Sequence, residues 1–158
     1  MKKCIVFLVI LVLLISCSGK TAIGYNDTII QPQLEIVDKL DSLFSPQVSL
    51  QDIERHRSEL IDISDNALTK IKKLEDYNGN SSFKMAAIKY FTFVSNYYLT
   101  TPNIDSLIYN FNSPERLENL TDEQLNKTKS DFEHFLNLEN ELLDEQKKFA
   151  EDTGMKLN

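Results

Sequence analysis

A helical chain can build a two-iron centre from four carboxylates and two Glu-x-x-His pairs. Asp131-Phe132-Glu133-His134 supplies one acidic-x-x-His spacing. The only other histidine, His56, has Ile53 three positions before it, so the second pair is missing. His134 lies between Phe132 and Phe135, off the apolar line of its segment, and reads as a solvated or boundary histidine. His56 lies on an apolar seam and reads as a half-buried histidine hydrogen-bonded to a carboxylate. HExxH, CxxC and CxxCH spacings do not occur, and no EF-hand calcium loop is present. Nucleophilic catalysis is equally poorly supplied. There is no Gly-x-Ser-x-Gly elbow and no Ser-x-x-Lys with its usual partners. The four glycines do not form a phosphate-binding loop. These residues predict no catalytic site, no metal site and no cofactor, so the chain is expected not to be an enzyme.

Cys17 is the side chain with a chemistry written around it. The chain opens Met1-Lys2-Lys3, then runs through about thirteen mostly aliphatic residues to Leu14-Ile15-Ser16-Cys17. A positive start, an apolar middle and a small residue at the break are the parts of a secretory signal peptide. The apolar run is well short of the roughly 20 residues that a spanning helix needs. Leu14 at −3, Ile15 at −2, Ser16 at −1 and Cys17 at +1 resemble the bacterial lipobox. The resemblance implies a diacylglycerol on the Cys17 sulfur, and cleavage that leaves Cys17 as the new N-terminus. Residues 1–16 are then a cleaved lipoprotein signal, 17–24 a lipidated tether and 25–158 the folded domain. Cys4 is lost with the leader, so no disulfide can form within the mature chain.

Charge narrows the partners. The formal net charge is −7, and cleavage removes Lys2 and Lys3. Nucleic acid and anionic headgroups usually require clustered Lys and Arg, so neither is expected as a partner. The membrane is met through the Cys17 lipid instead. One acyl chain anchors only marginally, whereas the two or three on bacterial lipoproteins hold firmly. The address predicted is the cell envelope. Ser18 is not the Asp that retains lipoproteins in the inner membrane, which favours the outer membrane. Ser18-Gly19-Lys20-Thr21 carries no acidic run, which favours its periplasmic side over the cell surface.

Apolar spacing of three and four predicts four helical segments after the tether. The first runs from about Asn26 to Phe44, with Asn26 or Asp27 as cap. The second runs from Leu50 to about Tyr77 along Ile53, Leu60, Ala67 and Leu74, and stops at Asn78-Gly79-Asn80. The third starts near Ser81 or Ser82 and should break or kink at Pro102. A short helical piece follows Asn103, and Ser113-Pro114-Glu115 opens another turn. Thr121-Asp122-Glu123-Gln124 reads as a capping box for a fourth helix that ends at Thr153-Gly154. No segment alternates with period two. The fold class expected is all-α, an antiparallel four-helix bundle with its third helix broken or kinked near Pro102.

Several stretches together resemble a family of uncharacterised lipoproteins, described as surface proteins in Bacteroidetes and spirochaetes. They are Tyr25-Asn26-Asp27-Thr28-Ile29-Ile30, Gly79-Asn80-Ser81-Ser82-Phe83-Lys84-Met85-Ala86-Ala87, Phe91-Thr92-Phe93 and Gln146-Lys147-Lys148-Phe149-Ala150. The resemblance implies a lipid-anchored envelope protein and carries no catalytic residues. On the residues themselves, aromatics from Phe83 to Phe111 read first as core. Phe91 and Phe93 cannot both face inward on one helix, so Phe93 beside Tyr97 is a candidate contact patch. The function expected is a binding or structural module of the envelope, with an envelope protein as partner. The alternative is a carrier of an apolar small molecule or lipid, held between the third and fourth helices.

Cys17→Ala is expected to abolish lipidation and leave a slower-migrating, unprocessed precursor on a gel. Normal maturation of that variant would contradict the lipobox reading.

Overall fold

Thr21 opens the first helix. Its Oγ1 accepts the Gly24 backbone N–H at 3.0 Å, which satisfies one of the free amides that every helix start leaves. A computed structural model of the chain describes residues 21–157, so the signal, Cys17 and the first half of the tether lie outside the described residues. Helix α1 spans Ala22–Leu43. It therefore begins before the Asn26 or Asp27 cap expected, and Ala22 to Gly24, assigned to the tether, form its first turn. Pro32 sits inside α1 and removes one intrahelical N–H donor without ending the helix.

Helix α2 spans Leu50–Ile71, with Ser49 Oγ accepting the Asp52 N–H at 3.1 Å. It stops before Tyr77, where the apolar pattern pointed. The intervening chain turns instead, through Asn78 at φ 50° and Gly79 at φ 79°. Lys84 fixes this turn by donating to the Leu74 carbonyl at 2.9 Å and pairing with Asp76 at 2.7 Å. Helix α3 spans Ser82–Thr100. Thr101 is extended at ψ 119°, as the ring of the following Pro102 demands. Asn103 adopts φ 53°, and helix α4 takes Ile104–Phe111. A 3-10 segment, Pro114–Asn119, leads to helix α5, Asp122–Thr153. The capping box at α5 is complete: Thr121 Oγ1 accepts the Gln124 N–H, and Gln124 accepts the Thr121 N–H at 2.9 Å. Gly154, at φ 67°, closes its C-terminal end in the left-handed conformation that glycine adopts without strain. Among the described residues the chain is all-helical, with no strand.

The α2–α3 interface is the most extensive, followed by α1–α2 and α3–α5, while the contact between α1 and α5 is small. Cross-helix pairs fix the directions. Asp65 with Ser95 at 2.7 Å, and Asp76 with Lys84, make α3 run antiparallel to α2. Lys89 with Glu141 at 2.5 Å, and Phe83 against Phe149 at 5.3 Å between centroids, do the same for α3 and α5. Asn26 with Gln146 at 2.8 Å, and Gln33 with Glu139 at 2.9 Å, run α1 antiparallel to α5. Arg57 of α2 holds α4 through Asp105 at 2.7 Å.

The end of the fold that holds the start of α1 is closed by rings. Phe149 stacks on Tyr25 at 5.2 Å and meets Tyr77 edge-on at 5.2 Å, with Phe83 on a further side. Each aromatic pair adds about 0.5–1.5 kcal/mol beyond area burial. Phe149 is 5% exposed. Phe149→Ala is expected to destabilise the chain by about 3–5 kcal/mol in urea unfolding. Phe132, on the same helix, is 55% exposed. Phe132→Ala is expected to change stability by less than about 1 kcal/mol. Equal losses from the two variants would contradict this difference between the ends of α5.

Candidate apolar binding groove

The α1–α5 register predicts its own next contact. Asn26 pairs with Gln146, and seven residues on, Gln33 pairs with Glu139. Seven further on stand Leu40 and Phe132, about two helical turns along. They flank a cavity of about 650 Å³. That volume lies within the range of small-molecule sites, about 300–1,000 Å³.

Each surrounding helix contributes apolar walls. Leu40 comes from α1, and Phe44 stands at its C-cap. Phe93, Val94, Tyr97 and Tyr98 come from α3, and Phe111 from the end of α4. Leu125, Phe132 and Phe135 come from the first half of α5. Val94 and Tyr98 are buried and form the inner wall. Phe44, Phe111 and Phe132 remain 44%, 39% and 55% exposed. Large apolar side chains left exposed around one cavity are the mark of a binding site rather than of ordinary surface scatter.

The groove exists because α5 is packed along only part of its length. Its later half buries Leu138, Leu142, Phe149 and Ala150. Its earlier half buries nothing fully, and Leu125, Thr128 and Phe135 are half-covered. A helix of 32 residues extends about 48 Å at 1.5 Å per residue, far longer than the 22-residue α1 beside it.

Phe93 and Tyr97, expected on an open patch, are half-buried in the groove wall. Their rings stack at 5.7 Å. The other face of Phe93 is covered, because His134 meets it edge-on at 4.9 Å and Phe135 lies at 6.5 Å. Both Phe91 and Phe93 lose exposure because α2 and α5 cover α3 from two sides. Phe91 is fully buried. Cys17 lies outside the described residues. His56 is half-buried, with Nδ1 3.4 Å from Glu59 Oε2. Glu59 also pairs with Lys39 at 2.5 Å, and that ammonium, ahead of His56, holds the carboxyl below its ordinary range. The cluster ties α1 to α2. Among the described residues, no three His, Cys, Asp or Glu side chains converge as a metal site would require. Among them, too, no helix is long and apolar enough to cross a membrane.

Besides the Tyr97 and Tyr98 hydroxyls of α3, the polar groups of the groove belong to α5: Asn126, Thr128, Lys129 and Asp131. Asp131 is paired with Lys127 at 2.8 Å. The Tyr97 phenol is pushed up to about 12, first by burial and then by the Asp131 charge. Leu40, Phe44, Leu125, Phe132 and Phe135 read in the sequence only as core faces. Nothing in a single helical period shows that two such faces stop short of meeting.

The described residues define an all-helical protein with an aromatic-walled groove at one end. No known protein family, curated protein or solved structure matches this chain.

The Tyr97 shift carries a stability consequence. Above the ordinary phenol value of about 10, the unfolded chain loses this proton before the folded one does. Unfolding is then favoured, and stability falls as pH rises from about 10 towards 12. Tyr25, raised to about 12 by burial and by Asp76, acts in the same direction. Tyr97→Phe is expected to flatten the fall in urea midpoint across that alkaline window. An unchanged slope would show that the Tyr97 hydroxyl is as free in the folded chain as in the unfolded one.

Proposed function

We propose that this chain is a lipid-anchored, extracytoplasmic binding module of the cell envelope whose groove holds an apolar ligand. The single observation that carries the reading is the roughly 650 Å³ cavity between α1, α3, α4 and α5, walled by aromatic and aliphatic side chains. The carrier reading is favoured over a bare contact surface. Phe93 and Tyr97 wall a cavity, where a docking stripe would stand in the open. An envelope protein could still use the groove by inserting an apolar side chain past Phe132.

The architecture in the proposal is an antiparallel four-helix bundle of α1, α2, α3 and α5. Its support is the set of cross-helix pairs at Asn26–Gln146, Asp65–Ser95 and Lys89–Glu141. In this arrangement the break at Pro102 lets α4 fold back across the end of the bundle and deliver Phe111 to the groove. The lipobox at Cys17 and the resemblance to envelope lipoproteins support the address, with the outer membrane's periplasmic side as the place. The groove lies at the C-terminal end of α1. Leu40 is eighteen residues beyond Ala22, about 27 Å along the helix.

Magnitudes agree with a useful affinity. Burying a methylene contributes about 0.8 kcal/mol. Ten of them give about 8 kcal/mol, which corresponds to a micromolar dissociation constant before ordering costs.

The chain from Ser18 onward, which lacks the acylated cysteine, is expected to be soluble, strongly helical by circular dichroism and cooperative in melting. It should bind a solvatochromic apolar dye with a blue-shifted emission. Phe132→Asp is expected to weaken that binding by about tenfold while the melting temperature stays within a few degrees, since an exposed ring has little packing to lose. Undiminished dye binding by the variant would overturn the groove as the site.

A further inference from the structure

We infer that the groove's ligand is a long-chain fatty acid, with its tail laid between α3 and α5 and its carboxylate held at Lys129. The inference rests on the groove being the ligand site and adds the class of ligand.

Three features of the groove choose this class. The first is the separation of apolar from polar. Phe93, Tyr97, Phe132 and Phe135 make the walls, whereas the charged lining residues are confined to Lys129 and Asp131 on α5. Such a division suits a molecule with a long apolar body and a single polar end. The second is shape. The α5 lining runs from Leu125 to Phe135, ten residues or about 15 Å at 1.5 Å per residue. A lining of that length can take an extended chain.

The third feature is charge. Lys127 is neutralised by Asp131 at 2.8 Å, but Lys129 makes no ion pair among the described residues. The rim therefore carries one uncompensated positive charge, on a chain whose formal net charge is −7. Asn126 and Thr128 flank it as hydrogen-bond donors. Asp122 and Glu123, on the first turn of α5, are exposed and do not line the groove. Glu133, one turn along α5 from Lys129, is exposed, makes no ion pair with it among the described residues and does not line the groove, so the lining charges are Lys129 and the Asp131–Lys127 pair. A neutral apolar ligand would leave the lysine without a role. A carboxylate gains a charge-assisted hydrogen bond from it.

The test uses the full chain in the membranes that carry it. A palmitic acid analogue with a diazirine in its tail is added, and in parallel the alcohol of the same chain length. After irradiation the labelled peptides are mapped by mass spectrometry. The acid is expected to label the segments holding Phe93–Tyr97 and Leu125–Phe135, at about one tenth of the concentration the alcohol needs, the ratio that one charge-assisted hydrogen bond supplies. Lys129→Ala, at an exposed position, should raise the acid's half-labelling concentration by about the same tenfold factor and leave the alcohol unchanged. Lys129→Arg should restore the acid. Equal labelling of the groove by acid and alcohol, indifferent to Lys129→Ala, would overturn the carboxylate assignment and leave the groove reading standing. Absence of groove labelling by either would overturn both.

Discussion

The seam between α1 and α5 decides where this structure is closed and where it is open. At one end it is closed by the ring of Phe149 against Tyr25 and by the Asn26–Gln146 hydrogen bond. In the middle Gln33, itself buried, meets Glu139 and takes up the seam's polar pair. Beyond that pair large apolar residues of the two helices flank the cavity. Burial of apolar area is the main force that brings helices together. A seam that leaves Phe44 and Phe132 exposed therefore forgoes stabilisation that the sequence contains. Under the proposed function, that exposed apolar surface is kept for a ligand.

Why the seam can stay open follows from what holds the rest. The α2–α3 interface is the widest in the fold and does not depend on α5. Ile53, Leu60, Ala67 and Ile71 of α2 are buried, as are Ala87, Tyr90, Phe91 and Val94 of α3. The second half of α5 completes this core through Leu138, Leu142 and Phe149. The first half can then stand clear without unfolding the protein, because its own ladder and capping box satisfy its backbone. Stability is concentrated at the closed end and access at the other. Local openings cost least where buried contacts are fewest, and binding regions are drawn from that end of the scale.

Local chemistry was legible in the sequence, and the meeting of faces was not. Thr121 with Gln124, Gly154, and the extended Thr101 before Pro102 each follow from a rule confined to a few residues, and the structure shows them at those positions. The start of α1 was missed because Gly24 suggested tether. Yet glycine costs only about 1 kcal/mol inside a helix, and the Thr21 cap offsets much of that. The end of α2 was overrun because Leu74 and Tyr77 continue an apolar pattern from a turn, held there by Lys84 from another helix. Phe93 was taken as exposed because one helical wheel has one inward face. Cover from α5 on a second side is a property of two helices, and a wheel cannot show it. The residues that line the groove are hidden for the same reason. Phe44, Phe111, Phe132 and Phe135 each fall on an apolar stripe, and only their arrangement shows that the stripes leave a gap.

Helix α5 is packed into the core along its later half and only partly covered along its earlier half. Amide hydrogen exchange along α5, followed by mass spectrometry on the full chain, measures this most directly. The account predicts slow exchange from Leu138 to Ala150 and exchange faster by at least about tenfold from Leu125 to Phe135, where fewer buried contacts oppose local opening. Uniform protection along the whole helix would contradict it, because the first half would then share the core's stability and the groove would be closed in solution.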